Sequence, residues 1–325
     1  MVAAADAAAE ADGAASVREE MTTMNVRLRL ATCLVLACGC ARAWKTKSFD
    51  TPDQAMYALA GVIGTGNTPE AEEILGVGGP ELLRSGDEVA DRADAEHVQE
   101  SIRERLTFEN HGADTKVALI GREAWPFPIP LVKDDGRWRF DLAAGVEEVA
   151  NRRVGRNELS TIATLHAYVD AQHEYVSVGR DGLPPAYASK VLSTPGKHDG
   201  LHWETAEGEP ESPLGPLVAA ATEEGYLAEG GEGGNPYHGY RFRLLTRQGV
   251  NAPGGAKDYV DEKGLMTRGF AMLAWPAKYE SSGVMTFVVG PQGIVFQKDL
   301  GPDTDKAVTS VSAFDPDESW DPTGD

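Results

Sequence analysis

Few residues in this chain of 325 have the types and spacing that chemistry demands. One group is His198-Asp199-Gly200-Leu201-His202, followed by Trp203 and Glu204. Two imidazoles and a carboxylate in a loop are donors that bind Zn²⁺ or polarise water. His198, Asp199 and His202 are therefore candidate ligands of a metal-assisted hydrolase. The plainer reading is a loop pinned by the packing of Trp203. A second group is His166, Asp170, His173 and Glu174. Were that stretch an α-helix, His166 and His173 would project only about 20° apart, a second candidate metal stripe. Both histidines also border an apolar stripe, where they can be ordinary boundary residues. Trp125 and Phe127, in the run Trp125-Pro126-Phe127-Pro128-Ile129-Pro130, could form a ledge for a small apolar ligand, or could seal the end of a core. The alternating prolines withhold ladder donors, so this run is extended and at an edge.

The remaining inventory argues against an enzyme. No nucleophile elbow, P-loop or zinc-protease helix motif occurs, and no cofactor is implied. Glu147-Glu148 and Glu223-Glu224 are adjacent in sequence and do not face each other on a helix, so they read as solvated charge. Asp303, Asp305 and Asp315 to Glu318 fit no calcium-loop spacing. No catalytic residue is assigned. The chain carries 51 acidic against 30 basic side chains, a net charge of −21. Such a surface repels phosphate backbones and anionic head groups, which excludes nucleic acid as a partner and leaves a membrane only through an anchor.

The three cysteines, Cys33, Cys38 and Cys40, lie within one short segment, and none follows. A disulfide framework and a thiol nucleophile are thereby excluded from the main body. From Met24 the text reads MNVRLRLATCLVLACGCARAW. Arg27 and Arg29 precede an apolar run from Leu30 to Ala37, and small residues follow. That is the three-part layout of a signal peptide, over residues 24–43. Val35-Leu36-Ala37-Cys38 resembles a lipobox, and Cys38 and Cys40 are candidate lipidation sites. Ala41-Arg42-Ala43 is the alternative cleavage site, releasing a soluble chain. Residues 1–23, alanine-rich and acidic, read as a mis-assigned start or a disordered tail.

The elements that must position these residues follow from periodicity. Asp50-Thr51-Pro52 starts a helix, and helical segments follow near Ile74 to Leu83 and Asp94 to Arg105. The period then shifts toward two, with strands at Lys116 to Ile120, Ile129 to Val132 and Arg137 to Asp141. Asp134-Asp135-Gly136 is the turn between the last two. Val146 to Val176 is the longest helical stretch, interrupted near Gly155, with Asn157 as a second cap. Its apolar stripe takes in Leu159, Ile162, Leu165, Val169 and Val176. A loop-rich stretch covers Ser193 to Gly239. Strands are expected at Tyr240 to Thr246, Gly269 to Trp275, Val284 to Val289 and Gly293 to Lys298, with a frayed tail from Asp315. The fold class is α+β: a cone-like helix-plus-sheet module over 49–150, then a long helix on an antiparallel meander over 155–320.

The order of elements in the first module resembles the cone-shaped folds related to nuclear transport factor 2. Four stretches, WPFPIPLV at 125–132, GRNELSTIATLHAYVDAQHEY at 155–175, LSTPGKHDGLHW at 192–203 and SGVMTFVVGPQGIVFQKDLG at 282–301, closely resemble the bacterial family known as domain of unknown function 2950. That resemblance covers Phe49 to Trp320 and implies no activity. The stretch from Asn157-Glu158-Leu159 to the strand Gly283 to Val289 is similar to the headgroups of type IV pilins and pseudopilins. It departs from them where a separate module replaces the apolar N-terminal helix. The sequence thus describes an exported cell-envelope protein, periplasmic, anchored at the outer membrane as a lipoprotein, or secreted. Its expected role is that of a non-enzymatic interaction or assembly factor for envelope, secretion or pilus proteins. The alternatives are a small-ligand-binding envelope module and the metal-assisted hydrolase.

Overall fold

The computed structural model describes residues 46–205, 211–224, 226 and 235–324. The signal-peptide and lipidation readings, with Cys38 and Cys40, lie outside the described residues. The described chain is α+β, as its periodicities imply.

The first half opens with α1 (Pro52–Val62), where Thr51 Oγ1 accepts from Gln54 N at 3.2 Å. The Gln54 side chain reaches back to accept from Asp50 N at 3.1 Å, a reciprocal arrangement that fixes the helix start. Next come α2 (Thr68–Leu75), the short α3 (Gly79–Leu82) and α4 (Glu88–Glu104). They pack on a sheet of β1 (Leu106–Asn110), β2 (Thr115–Ile120), β4 (Leu131–Asp134) and β5 (Arg137–Phe140), in that order. The two-residue β3 (Trp125–Pro126) pairs with β2. Asp135 and Gly136, both at positive φ (48° and 80°), make the tight turn joining β4 to β5. Met56, Leu59, Ile74, Ile102, Ile120, Leu131 and Phe140 fill the core between the layers.

The expected interruption near Gly155 is absent. α5 (Leu142–Val176) runs unbroken for 35 residues. A glycine inside a helix costs about 1 kcal/mol relative to alanine, too little to break a helix packed at both ends. Asn157 is accordingly no cap: it is buried, and its Nδ2 donates to Ser282 O at 2.9 Å. Leu159, assigned above to the apolar stripe, is 70% exposed. The buried face instead includes Thr161, Leu165, Tyr168 and Gln172, so polar residues carry part of the packing.

The second half of α5 packs on a sheet ordered β12-β11-β10-β9-β6, with β6 (Tyr240–Leu245), β9 (Ala271–Pro276), β10 (Met285–Val289), β11 (Val295–Asp299) and β12 (Asp321–Pro322). Leu165, Tyr168, Phe270, Leu273, Phe287 and Phe314 lie in its core. A separate ribbon pairs β7 (Arg247–Gln248) with β8 (Lys257–Asp258). The stretch read as loop contains a helix, α6 (Gly215–Glu223). The C-terminal tail is not frayed across its described part. Asp315 Oδ1 accepts from Asn251 N at 2.7 Å, Asp321 and Pro322 pair with β11, and Thr323 N donates to Val295 O at 2.9 Å. The tail is therefore tied at its start by a side-chain bond and further on by backbone pairing with the sheet.

Besides the shared helix, polar clamps link the two cores. Asp87, the N-cap of α4, accepts from Val89 N and Ala90 N through Oδ1, both at 3.1 Å. Its Oδ2 crosses the seam to accept from Tyr226 Oη at 2.8 Å and Gly239 N at 2.9 Å. Arg153, buried on α5, donates to Leu82 O at 2.6 Å. Glu158 Oε1 accepts from Val284 N and Met285 N, both at 2.9 Å, fixing the start of β10 to the helix. Gly145 lets the helix approach the N-terminal sheet closely: a Cβ there would stand 2.8 Å from Ile129 Cα.

Candidate functional site

The loop carrying His198, Asp199 and His202 folds over the C-terminal end of α5. Its geometry follows from a turn, Arg180-Asp181-Gly182-Leu183, in which Leu183 N donates to Arg180 O at 2.8 Å. Asp181 and Gly182 sit at φ of 52° and 77°, the left-handed pair that an Asp-Gly dipeptide accommodates. Asp181 then holds the loop: Oδ2 accepts from His198 N at 2.8 Å, and Oδ1 lies 2.9 Å from His198 Nδ1. These bonds from the His198 backbone and ring hold the Asp181 carboxyl below its ordinary range. Tyr175 Oη donates to His198 O at 2.6 Å, and Gln172, fully buried, pairs with both backbone groups of Ala188 at 2.9 and 2.8 Å.

The three candidate ligands of this loop point to different partners. Asp199 accepts from Lys190 Nζ at 2.7 Å, Thr194 N at 2.7 Å and Thr194 Oγ1 at 2.9 Å. Burial alone would raise its carboxyl, but these donors outweigh burial and hold it at about 2. His202 Nδ1 lies 3.0 Å from Ser212 Oγ, and burial lowers its imidazole against the opposing pull of Glu204. The loop therefore reads as a hydrogen-bonded structural element, with His198, Asp199 and His202 each satisfied separately. On α5, His173 Nε2 lies 3.2 Å from Pro291 O, and its ring meets those of Phe270 and Tyr187 edge-on. His166 is half-buried. Among the described residues, no three histidine, cysteine or acidic side chains are grouped as a metal ion would need.

The aromatic pair divides between interior and surface. Phe127 is buried in the N-terminal core, edge-on to Phe140 at 6.4 Å. Trp125 is 40% exposed, and the Arg152 guanidinium lies over its ring at 4.7 Å. Arg152 also donates to Pro126 O at 2.7 Å and pairs with Glu148 at 2.6 Å. The two rings do not share one exposed ledge. Two surface hollows among the described residues lie elsewhere: one is lined by Glu96, Gln99, Glu100, Arg103 and Glu104, and another flanks Trp320.

Sequence reasoning missed Arg180. Its guanidinium lies over Tyr175 at 4.9 Å and Trp203 at 4.8 Å, and the His198 ring meets Trp203 edge-on at 4.8 Å. Of these partners only the Asp181-Gly182 turn left a local signal, because Tyr175 and Trp203 meet through tertiary folding alone. It missed Asp87 as well, whose role as a helix cap was legible but whose role as a seam was not.

The chain matches no curated protein and no solved structure. The family model described as Protein of unknown function (DUF2950) matches residues 46–323, and the chain belongs to that family.

Proposed function

We propose that the chain is an exported cell-envelope protein that acts without catalysis, as an interaction or assembly factor. The exposed face of α5 carries this reading. Arg152, Gly155, Leu159 and Ala163 follow at helical spacing on one side, and Leu159 is the large apolar residue of that row. Gly155 and Ala163 are exposed and small, so Leu159 protrudes between them. At the other end of the row, Arg152 joins it to the exposed ring of Trp125. A leucine held in water on a rigid helix forgoes about 1.5–3 kcal/mol that burial against a partner would supply. Single exposed apolar residues are ordinary; an exposed leucine two helical turns from the arginine that stacks on an exposed tryptophan is a better docking surface.

The leader layout around Arg27, Arg29 and Leu30 to Ala37 supports export. Cys38 and Cys40 support a lipid anchor in the periplasm or at the outer membrane, and cleavage after Ala43 would give a secreted form. The pilin-headgroup resemblance favours secretion or pilus components as partners. A photo-crosslinking residue at position 159 of the full chain, in its own organism, tests the reading, with position 250 as an exposed control. Capture of an envelope protein from 159 and not from 250 supports it. Equal capture at both positions, or none at 159, refutes it. Replacing Cys38 and Cys40 together by alanine tests the anchor: unchanged membrane fractionation would exclude lipidation.

A further inference from the structure

Past the C-terminal end of α5, some 25 Å from Leu159 at 1.5 Å per residue, lies an arginine that the fold holds in place without a counter-ion. Arg180 lies over the rings of Tyr175 and Trp203, both buried. Its Nε is shielded from solvent and has no hydrogen-bond partner. Among the described residues, no carboxylate or carbonyl accepts from the guanidinium, although the chain carries 21 excess negative charges. The nearby acids are committed elsewhere: Asp181 to His198, and Asp199 to Lys190 and Thr194.

A charged donor without an acceptor is unfavourable, and ring faces compensate only in part. The residue is nonetheless preorganised. It begins a tight turn at positive φ, and that turn is clamped by Asp181 to the loop that supplies Trp203. We propose that Arg180, which is half-buried, anchors a carboxylate-binding site, in which a planar carboxylate accepts hydrogen bonds from the two Nη groups while Nε stays enclosed. One guanidinium fork matches one carboxylate in shape and charge. A phosphate dianion would meet the same single fork and greater repulsion from the surrounding acidic surface. The carboxylate can belong to a free small acid or to a peptide. This site is independent of the α5 face, so either proposal can fail alone.

The test is an NMR titration of the full chain, following the Arg180 Nε–H and the Trp203 indole N–H. The probes are sodium acetate, N-acetyl-alanyl-alanine, its C-terminal amide, and inorganic phosphate. One charge-assisted fork predicts an acetate Kd of about 10–100 mM. Acetate and the peptide acid should give saturable shifts at both resonances, and the amide none. A peptide acid at least tenfold tighter than acetate assigns the site to a peptide-borne carboxylate; equal affinities assign it to small acids. Arg180→Gln and Arg180→Lys should each abolish saturation, the lysine variant because it keeps the charge and loses the fork. Their melting temperatures serve as the folding check. The proposal is overturned if neither carboxylate shifts these resonances, if phosphate binds as tightly as acetate, or if folded Arg180→Lys binds as the parent does.

Discussion

Replacing Asp87 by alanine would show how strongly the two cores are held together. The carboxylate is 1% exposed and accepts four hydrogen bonds. Losing the cap on Val89 N and Ala90 N costs about 1 kcal/mol. Losing the seam costs more. Gly239 N–H is left without its acceptor, and so is the Tyr226 hydroxyl hydrogen. Each such buried donor costs about 1–3 kcal/mol, and a water entering the vacated space recovers part of it. The expected total is about 3–4 kcal/mol. Asp87→Asn should cost less, about 1.5–3 kcal/mol, because one oxygen remains for the cap while the new amide faces two donors. Urea unfolding of the parent and both variants measures the difference. The alanine variant should also unfold over a broader range, with a smaller denaturant slope, as the cores begin to separate. A loss below about 0.5 kcal/mol in the alanine variant, with an unchanged slope, would refute the view that Asp87 couples the cores.

Two glycines of α5 should respond with opposite sign. Gly155 has open space where a Cβ would go, so Gly155→Ala should stabilise by about 0.5–1 kcal/mol. Gly145→Ala should destabilise by about 1–3 kcal/mol, because its Cβ would press on the Ile129 backbone; thermal melts of both variants decide it. The depressed Asp199 carboxyl contributes stability above the unfolded value of 3.8, and that contribution is lost as pH falls through about 2. The urea midpoints of the parent and Asp199→Asn should therefore differ near pH 5 and converge toward pH 2; a constant gap would contradict the assignment. Leu159→Glu should change stability by less than about 0.5 kcal/mol while abolishing partner capture by a photo-crosslinking residue placed at position 163 of the same exposed row. A large loss of stability would mean that Leu159 is part of the packing.

Local signals are legible wherever one short segment determines the outcome. Thr51-Pro52 announces a helix start, and Asp135-Gly136 occupies the positive-φ pair of the turn its dipeptide favours. The alternating strands from Tyr240 onward lie where their period places them, within a residue or two. Local patterns mislead where distant residues decide. Gly155 and Asn157 look like a break and a cap, yet packing on both sides keeps the helix intact, and Ser282, far along the chain, takes the asparagine donor. Leu159 fits an apolar stripe by spacing, but the buried face is completed by Thr161, which bonds back to Asn157 O one turn earlier, and by Gln172, whose partner Ala188 lies beyond the helix. β1 alternates over Leu106-Thr107-Phe108-Glu109, but those few residues lie one residue past a helix, and a run so short is easily read as the helix end. The histidine loop is legible as polar and clustered; that its members bond to Asp181, Lys190 and Ser212 depends on tertiary contacts.

The unbroken α5 also sets a phase. Each residue added to an α-helix turns everything beyond it by about 100° and advances it by about 1.5 Å. Arg153 is fastened to the first half at Leu82, while Glu158 is fastened to the second at Met285, five positions later. A single inserted residue between them would swing the second set of clamps more than a quarter turn out of line, and Asp87 could no longer meet Gly239. Gly155 is thus a position that tolerates a larger side chain and forbids a change in count. The short segment from 153 to 158 works as a screw thread, in which length and orientation cannot be altered separately.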